Sequence, residues 1–127
     1  MLNSTKIFSS FSVDNIEKAM EFYRDILGLD VTKETMGNLA IHLKSGYDLI
    51  VYPKPDHIPA TFTVLNFPVE DVEKAVDHLA AKGVIFEHYD TEDIKTNEKG
   101  IMRGKGGPVI AWFTDPAGNI MSVLGDK

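Results

Sequence analysis

The chain has 127 residues, no cysteine and a formal net charge of −6. That length fits one ordinary domain, and the lack of cysteine excludes disulfides, thiolate metal sites and a cysteine nucleophile together. Lysines and arginines are scattered, so no basic stripe can gather a nucleic acid or an anionic membrane. No apolar run is long enough for a bilayer, and residues 1–6 lack a signal peptide's apolar core, so the cytoplasm is the expected location.

Residues 6–13 alternate. Ile7, Ser9, Phe11 and Val13 share one face while Phe8, Ser10 and Ser12 share the other, as in a strand lying between two different environments. Asp14 offers an N-cap and Glu17 completes a capping box. Ile16, Ala19, Met20, Tyr23, Ile26 and Leu27 then fall on one helical stripe, which Gly28 ends. Strands are expected at 29–35, 39–44 and 49–53, with turns at Met36-Gly37-Asn38 and Ser45-Gly46-Tyr47-Asp48. Three prolines within 53–59 read as a linker.

The second half says much the same again. Val13-Asp14-Asn15-Ile16-Glu17-Lys18-Ala19 recurs 56 residues later as Val69-Glu70-Asp71-Val72-Glu73-Lys74-Ala75. A strand at 60–67 precedes it, and a helix at 70–82 with Val72, Ala75, Val76 and Leu79 on its buried stripe follows, ended by Gly83. A strand is expected at 84–89, then a polar passage at 90–107. Final strands at 109–114 and 119–124 are joined by Asp115-Pro116-Ala117-Gly118, a turn-forming run. A period of this size marks two supersecondary units in tandem. The expectation is a single α+β domain, residues 1–127, of two βαβββ modules, about 1–56 and 60–127.

Local motifs for catalysis are sparse. Gly104-Lys105-Gly106-Gly107 has the wrong spacing for a phosphate loop and reads instead as a mobile loop over a site. Asp90, Glu92 and Asp93 lack the ligand spacing of a calcium loop. His42, His57, His78 and His88 include no pair four apart on one helix. His57 and His78 read as surface residues. His42 shares a strand face with Ala40 and Lys44, opposite Leu39, Ile41 and Leu43, so it is placed to line a cleft. No Gly-x-Ser-x-Gly elbow is present.

The tandem units, the helix starts, Phe22-Tyr23 with Leu27-Gly28-Leu29, and the closing Phe113-Thr114-Asp115-Pro116-Ala117-Gly118-Asn119 together resemble the vicinal oxygen chelate superfamily. That group includes glyoxalases, bleomycin-resistance proteins and extradiol dioxygenases. The resemblance implies a curled, open mixed sheet around a central cleft, with helices outside. It also implies a homodimer, to which apolar residues on both faces of several strands add weight. Metal-dependent members carry a ligand on the first and last strand of each unit, usually His, Gln or Glu. By motif spacing those positions fall on Phe8, Val51, Val64 and Ser122. Phenylalanine and valine cannot ligate a metal, and serine is a poor lone ligand. No metal, no cofactor and no catalytic residue are therefore expected.

The reading that follows is a glyoxalase or bleomycin-resistance-like protein that binds a small organic molecule. Its cleft would offer Phe8, Ser10, His42, Leu49, Val51, Phe62, Val64, Asn66, Ile120 and Ser122. Trp112, Met102 and Arg103 would approach from the seventh strand and the loop before it, under the 90–107 passage. The alternative is an enzyme of the superfamily, a lyase, isomerase or dioxygenase, using displaced ligands such as His42 or His88, or acid–base chemistry without metal.

Overall fold

Both helices begin on a side chain that satisfies their first free N–H groups. In the computed structural model, which describes residues 1–104 and 106–127, Asn15 accepts from the Lys18 N–H at 3.0 Å. Asp71 accepts from the Lys74 N–H at 3.1 Å. The first cap is thus Asn15 and not the expected Asp14, which places both caps at the same point of the repeated phrase. Helix α1 runs Ile16–Met20 and continues as a π-helical turn, Glu21–Ile26. Helix α2 runs Val72–Ala81. Gly28 and Gly83 stop them at φ +73 and +95, a conformation that a side chain would strain.

The chain divides into two compact units, Met1–Pro59 and Ala60–Lys127. In the first, strands β1 (Ser10–Val13), β2 (Asp30–Lys33), β3 (Leu39–His42) and β4 (Asp48–Pro53) lie in the order β1-β4-β3-β2. β1 runs parallel to β4 and the other pairs are antiparallel. The register sets Val13, Val31, Leu39, Ile41, Leu49 and Val51 on one face, all buried. That face lies under the helix. Phe11 on it meets the Tyr23 ring edge-on at 6.0 Å, and Lys33 reaches Glu17 at 2.7 Å. Each buried aliphatic side chain there contributes roughly 1.5–3 kcal/mol. The face away from the helix carries Ser10, Ser12, Thr32, Ala40, His42, Asp48, Ile50 and Tyr52.

The second unit repeats the arrangement with β5 (Thr63–Pro68), β6 (Ile101–Arg103), β7 (Val109–Thr114) and β8 (Ile120–Gly125), ordered β5-β8-β7-β6. Ile101, Ala111, Phe113, Met121 and Val123 are buried on its helix side. Its sixth strand differs from expectation. Residues 84–89 contribute only a single bridge, Phe86 to Phe113, and a hydrogen bond from the Glu87 N–H to the Trp112 carbonyl at 2.8 Å. The chain then leaves the sheet and returns at Ile101 to pair with the same strand, β7. β6 therefore comes from within the passage read as polar loop. The two mixed sheets are not closed into a barrel, and the fold is α+β. Among the described residues no helix is long and apolar enough to cross a membrane.

Candidate functional site

The last two strands of the second unit are pinned by a buried turn. Asp115 Oδ1 accepts from the Ala117 and Asn119 N–H groups at 2.9 and 2.8 Å, and its Oδ2 accepts from Asn119 Nδ2 at 3.0 Å. This fixes the β7–β8 register, and with it Trp112 opposite Ser122. Ser122 in turn lies opposite Asn66 and donates to its Oδ1 at 2.6 Å. Tyr89 meets the Trp112 ring edge-on at 5.5 Å, and burial pushes its phenol pKa up, with Glu87 adding to the rise. Asn66, Ser122 and Trp112, three of the expected site residues, thus form one row on the face away from α2. Met102, paired with Ile110, shares that face.

In the first unit the tight β3–β4 turn sets His42 opposite Asp48. His42 Nδ1 lies 2.8 Å from Asp48 Oδ1, and its Nε2 lies 2.8 Å from Thr32 Oγ1. The hydrogen bond to Asp48 raises the His42 pKa, as do the charges of Asp48, Asp30 and Glu34, while partial burial opposes the rise. Beside Asp48 a hollow of about 190 Å³ is lined by Lys6, Phe8, Gly46, Tyr47, Asp48 and Ile50. The Lys6 ammonium sits 5.3 Å from the centre of the Tyr47 ring. Phe8 is 61% exposed, an unusual placement for an apolar ring and one that leaves it available for contact.

A larger groove, about 560 Å³, runs along α2 between Asp71, Glu73, Lys74, Asp77, Arg103, Val109, Asp126 and Lys127. Several of its charges already answer one another. Arg103 binds Glu73 at 3.1 Å, and Lys99 binds Asp77 at 2.9 Å and Glu73 at 3.4 Å. It is a solvated polar trough on the helix side, so the smaller aromatic hollow is the better ligand site.

Three residues expected to line the cleft, Val51, Leu49 and Arg103, lie on the helix side of their sheets. Val51 is fully buried opposite Leu39 and Phe11, under the helix, and Leu49 accompanies it. The outward residues of β4 are Asp48, Ile50 and Tyr52 instead, a shift of one residue that a period-two element converts into the opposite face. Arg103 likewise turns toward α2, where Glu73 holds it. Ser10 is exposed beside Ile50, Phe62 is exposed just ahead of β5, and Val64 sits half-buried where the β5–β8 register shifts. His57 is not free on the surface: its Nδ1 lies 2.6 Å from Ser12 Oγ. His88 Nε2 pairs with the Glu98 carbonyl at 3.0 Å. Lys105, part of the glycine-rich loop, lies outside the described residues.

Lys6, Thr32, Tyr47 and Asp48 were not among the expected site residues. Asp48 was counted as a turn residue, yet the turn closes between Leu43 and Tyr47, whose carbonyl accepts from the Leu43 N–H at 3.0 Å. Counting the hairpin outward from that pair would have set Asp48 against His42.

A family model described as the Glyoxalase/Bleomycin resistance protein/Dioxygenase superfamily matches residues 7–123. The chain belongs to this superfamily. No curated protein matches it. Lactoylglutathione lyase from Agrobacterium tumefaciens superimposes with a TM-score of 0.68 at 20% identity, over 96% of this chain and 93% of that one. TnmS3, an antibiotic binding protein from Streptomyces sp. CB03234, does so with a TM-score of 0.67 at 21% identity, over 98% of both chains. The fosfomycin resistance protein FosX from Listeria monocytogenes gives 0.71 at 13% identity, over 95% of this chain and 90% of that one. Identities this low speak for the fold alone.

Proposed function

We propose that the protein is a cytoplasmic, homodimeric member of the superfamily that binds a small organic molecule without the family's metal centre. The observation that carries this reading is the hollow beside Asp48. Its walls are Phe8, Tyr47 and Ile50, with one cation, Lys6, and one carboxylate, Asp48, at hand. Apolar walls with a few placed polar groups are how small-ligand sites are built. The row of Asn66, Ser122 and Trp112 offers the same mixture on the second sheet. That TnmS3 is an antibiotic binding protein supports the choice of a small organic ligand.

The residues that motif spacing sets at the family's metal positions support a reading without a divalent ion. Phe8 and Val64 bring only hydrocarbon, and on β4, where Val51 faces the helix, the neighbouring outward residues are Ile50 and Tyr52. The Ser122 hydroxyl is committed to Asn66. No step of the proposed function passes through a metal. Ile7 and Ile58 in the first unit, and Phe62 and Ile85 in the second, leave exposed apolar side chains on each that a second copy of the chain would cover.

Calorimetric titration with a library of aromatic and amphipathic compounds tests the reading. Binders should appear with metal chelated, and Phe8→Ala or Tyr47→Ala should weaken them by about 1–2 kcal/mol, as loss of aromatic contact does. His42→Ala, which removes the partner of Asp48, should cost about 1 kcal/mol through a lost hydrogen bond. Binders that ignore all three substitutions would put the site elsewhere. Sedimentation showing only the 14.1 kDa species at micromolar concentration would refute the dimer.

A further inference from the structure

On the face of the first sheet away from the helix, Thr32, His42 and Asp48 are bonded in line across β2, β3 and β4. Asp48 as a carboxylate can only accept, so the neutral imidazole must carry its proton on Nδ1. Its Nε2 then presents a lone pair, and the hydroxyl 2.8 Å away must donate to it. A hydroxyl donating to an imidazole whose far nitrogen is held by a carboxylate is the arrangement that activates an oxygen nucleophile. We infer that Thr32 is an acyl-accepting nucleophile, with His42 its general base and Asp48 the residue that positions the base.

The surroundings suit such a step. Thr32 is exposed, and β2 is the edge strand of its sheet. The Glu34 N–H bonds inward to the Asn38 carbonyl at 2.7 Å, so in antiparallel alternation the Lys33 N–H points out from that edge. A main-chain donor directly after the nucleophile is a fit partner for a developing oxyanion. The aromatic hollow adjoins Asp48 on the same face and can take an aryl group. The substrate class is therefore an ester or thioester with a good leaving group.

The atoms balance without a co-reactant beyond water. Thr32 Oγ1 bonds to the acyl carbon and passes its proton to His42 Nε2; the bond from carbon to the leaving oxygen or sulfur breaks, that group departs with the electron pair, and the proton on Nε2 goes to it or to solvent, which restores the neutral imidazole. Water then attacks the acyl-threonine, giving one proton to Nε2, and Thr32 Oγ1 recovers a proton as the carboxylic acid leaves. Asp48, Asp30 and Glu34, the charges acting on His42, all favour its protonated form. The rate should therefore rise with pH through an imidazole titration lying above the ordinary histidine value. This activity does not depend on the binding proposal, because its probe is supplied at millimolar concentration and read by chemistry.

The experiment uses p-nitrophenyl acetate with the full chain. The wild type should release nitrophenolate about tenfold or more faster than T32V, in line with modest general-base catalysis. Intact mass and peptide mapping after a short exposure should place one acetyl group on Thr32, and T32S should keep both rate and adduct. D48N should slow the reaction and move its pH midpoint toward the ordinary histidine value, a change that loss of structure alone would not produce. Equal rates in the wild type and T32V would show simple imidazole hydrolysis and overturn the inference. Acetyl groups found only on lysines or the N-terminus would do the same, as would a wild-type rate no higher than buffer.

Discussion

Replacing Asp115 by alanine removes the acceptor that holds the β7–β8 turn together. Its carboxylate accepts from the Ala117 and Asn119 N–H groups and from the Asn119 amide. Asp115 and Asn119 are 4% and 2% exposed, so water reaches the turn poorly once the carboxylate is gone. Hydrogen bonds to a charged acceptor are worth about 1.5–3 kcal/mol each. The three share one carboxylate, and Ala117 is only half-buried. The loss should therefore fall well short of three full bonds, at about 3–4 kcal/mol. Against a total of roughly 5–15 kcal/mol that is a large fraction. Asp115→Asn keeps one acceptor oxygen and should cost about half as much. Urea unfolding at neutral pH measures both. Because the turn sets Trp112 opposite Ser122, the tryptophan emission of folded Asp115→Ala should also shift. A loss under about 1 kcal/mol with unchanged emission would refute the claim that this turn determines the register.

Gly125→Ala would place a Cβ 2.3 Å from the Val69 carbonyl oxygen, so the α2 start must move; a loss of about 2 kcal/mol or more in thermal unfolding is expected. Phe8→Ala should leave stability within about 0.5 kcal/mol, since the ring is largely exposed, while still weakening ligand binding. The His42 pKa is raised on folding chiefly by its bond to Asp48, so that pairing stabilises the protein at acidic pH and fades as pH rises through the folded value. An NMR titration of His42 should show the raised midpoint and its fall in Asp48→Asn; an unchanged midpoint would remove Asp48 as the cause.

The repeat was legible because each copy must solve the same problem, a strand turning into a capped helix over one sheet face. Both helices start one or two residues later than the pattern put them, after Asn15 in place of Asp14 and after Asp71 where residue 70 was the expected start. The face of β4 was not legible. Asp48, Leu49, Ile50, Val51 and Tyr52 include four residues that are apolar or aromatic, so period-two alternation gives little to choose between the faces. Only pairing with β3 decides it, placing Val51 against Leu39. Arg103 was misread for a different reason: its partner, Glu73, is 30 residues away in sequence.

The two places where the repeat breaks explain one another's tolerance. From Asn15 to Gly28 is 13 residues, whereas Asp71 to Gly83 is only 12. The extra residue is taken up by the π-helical turn, where the Leu27 N–H reaches back five residues to the Phe22 carbonyl at 2.9 Å. Val31, which bridges to Ile41, then matches Phe86, which bridges to Phe113. Beyond that point the second unit departs for a long excursion and rejoins β7 at Ile101. Both insertions leave the helix-side pairs intact: Phe11 beside Val51 answers to Phe67 beside Val123, and Ile41 beside Leu49 answers to Phe113 beside Met121. Length has changed only where the added backbone can bond to itself or to water, and the helix-side core has kept its register. It is on the faces away from the helices that one unit carries the Asp48–His42–Thr32 line and the other the Asn66–Ser122–Trp112 row.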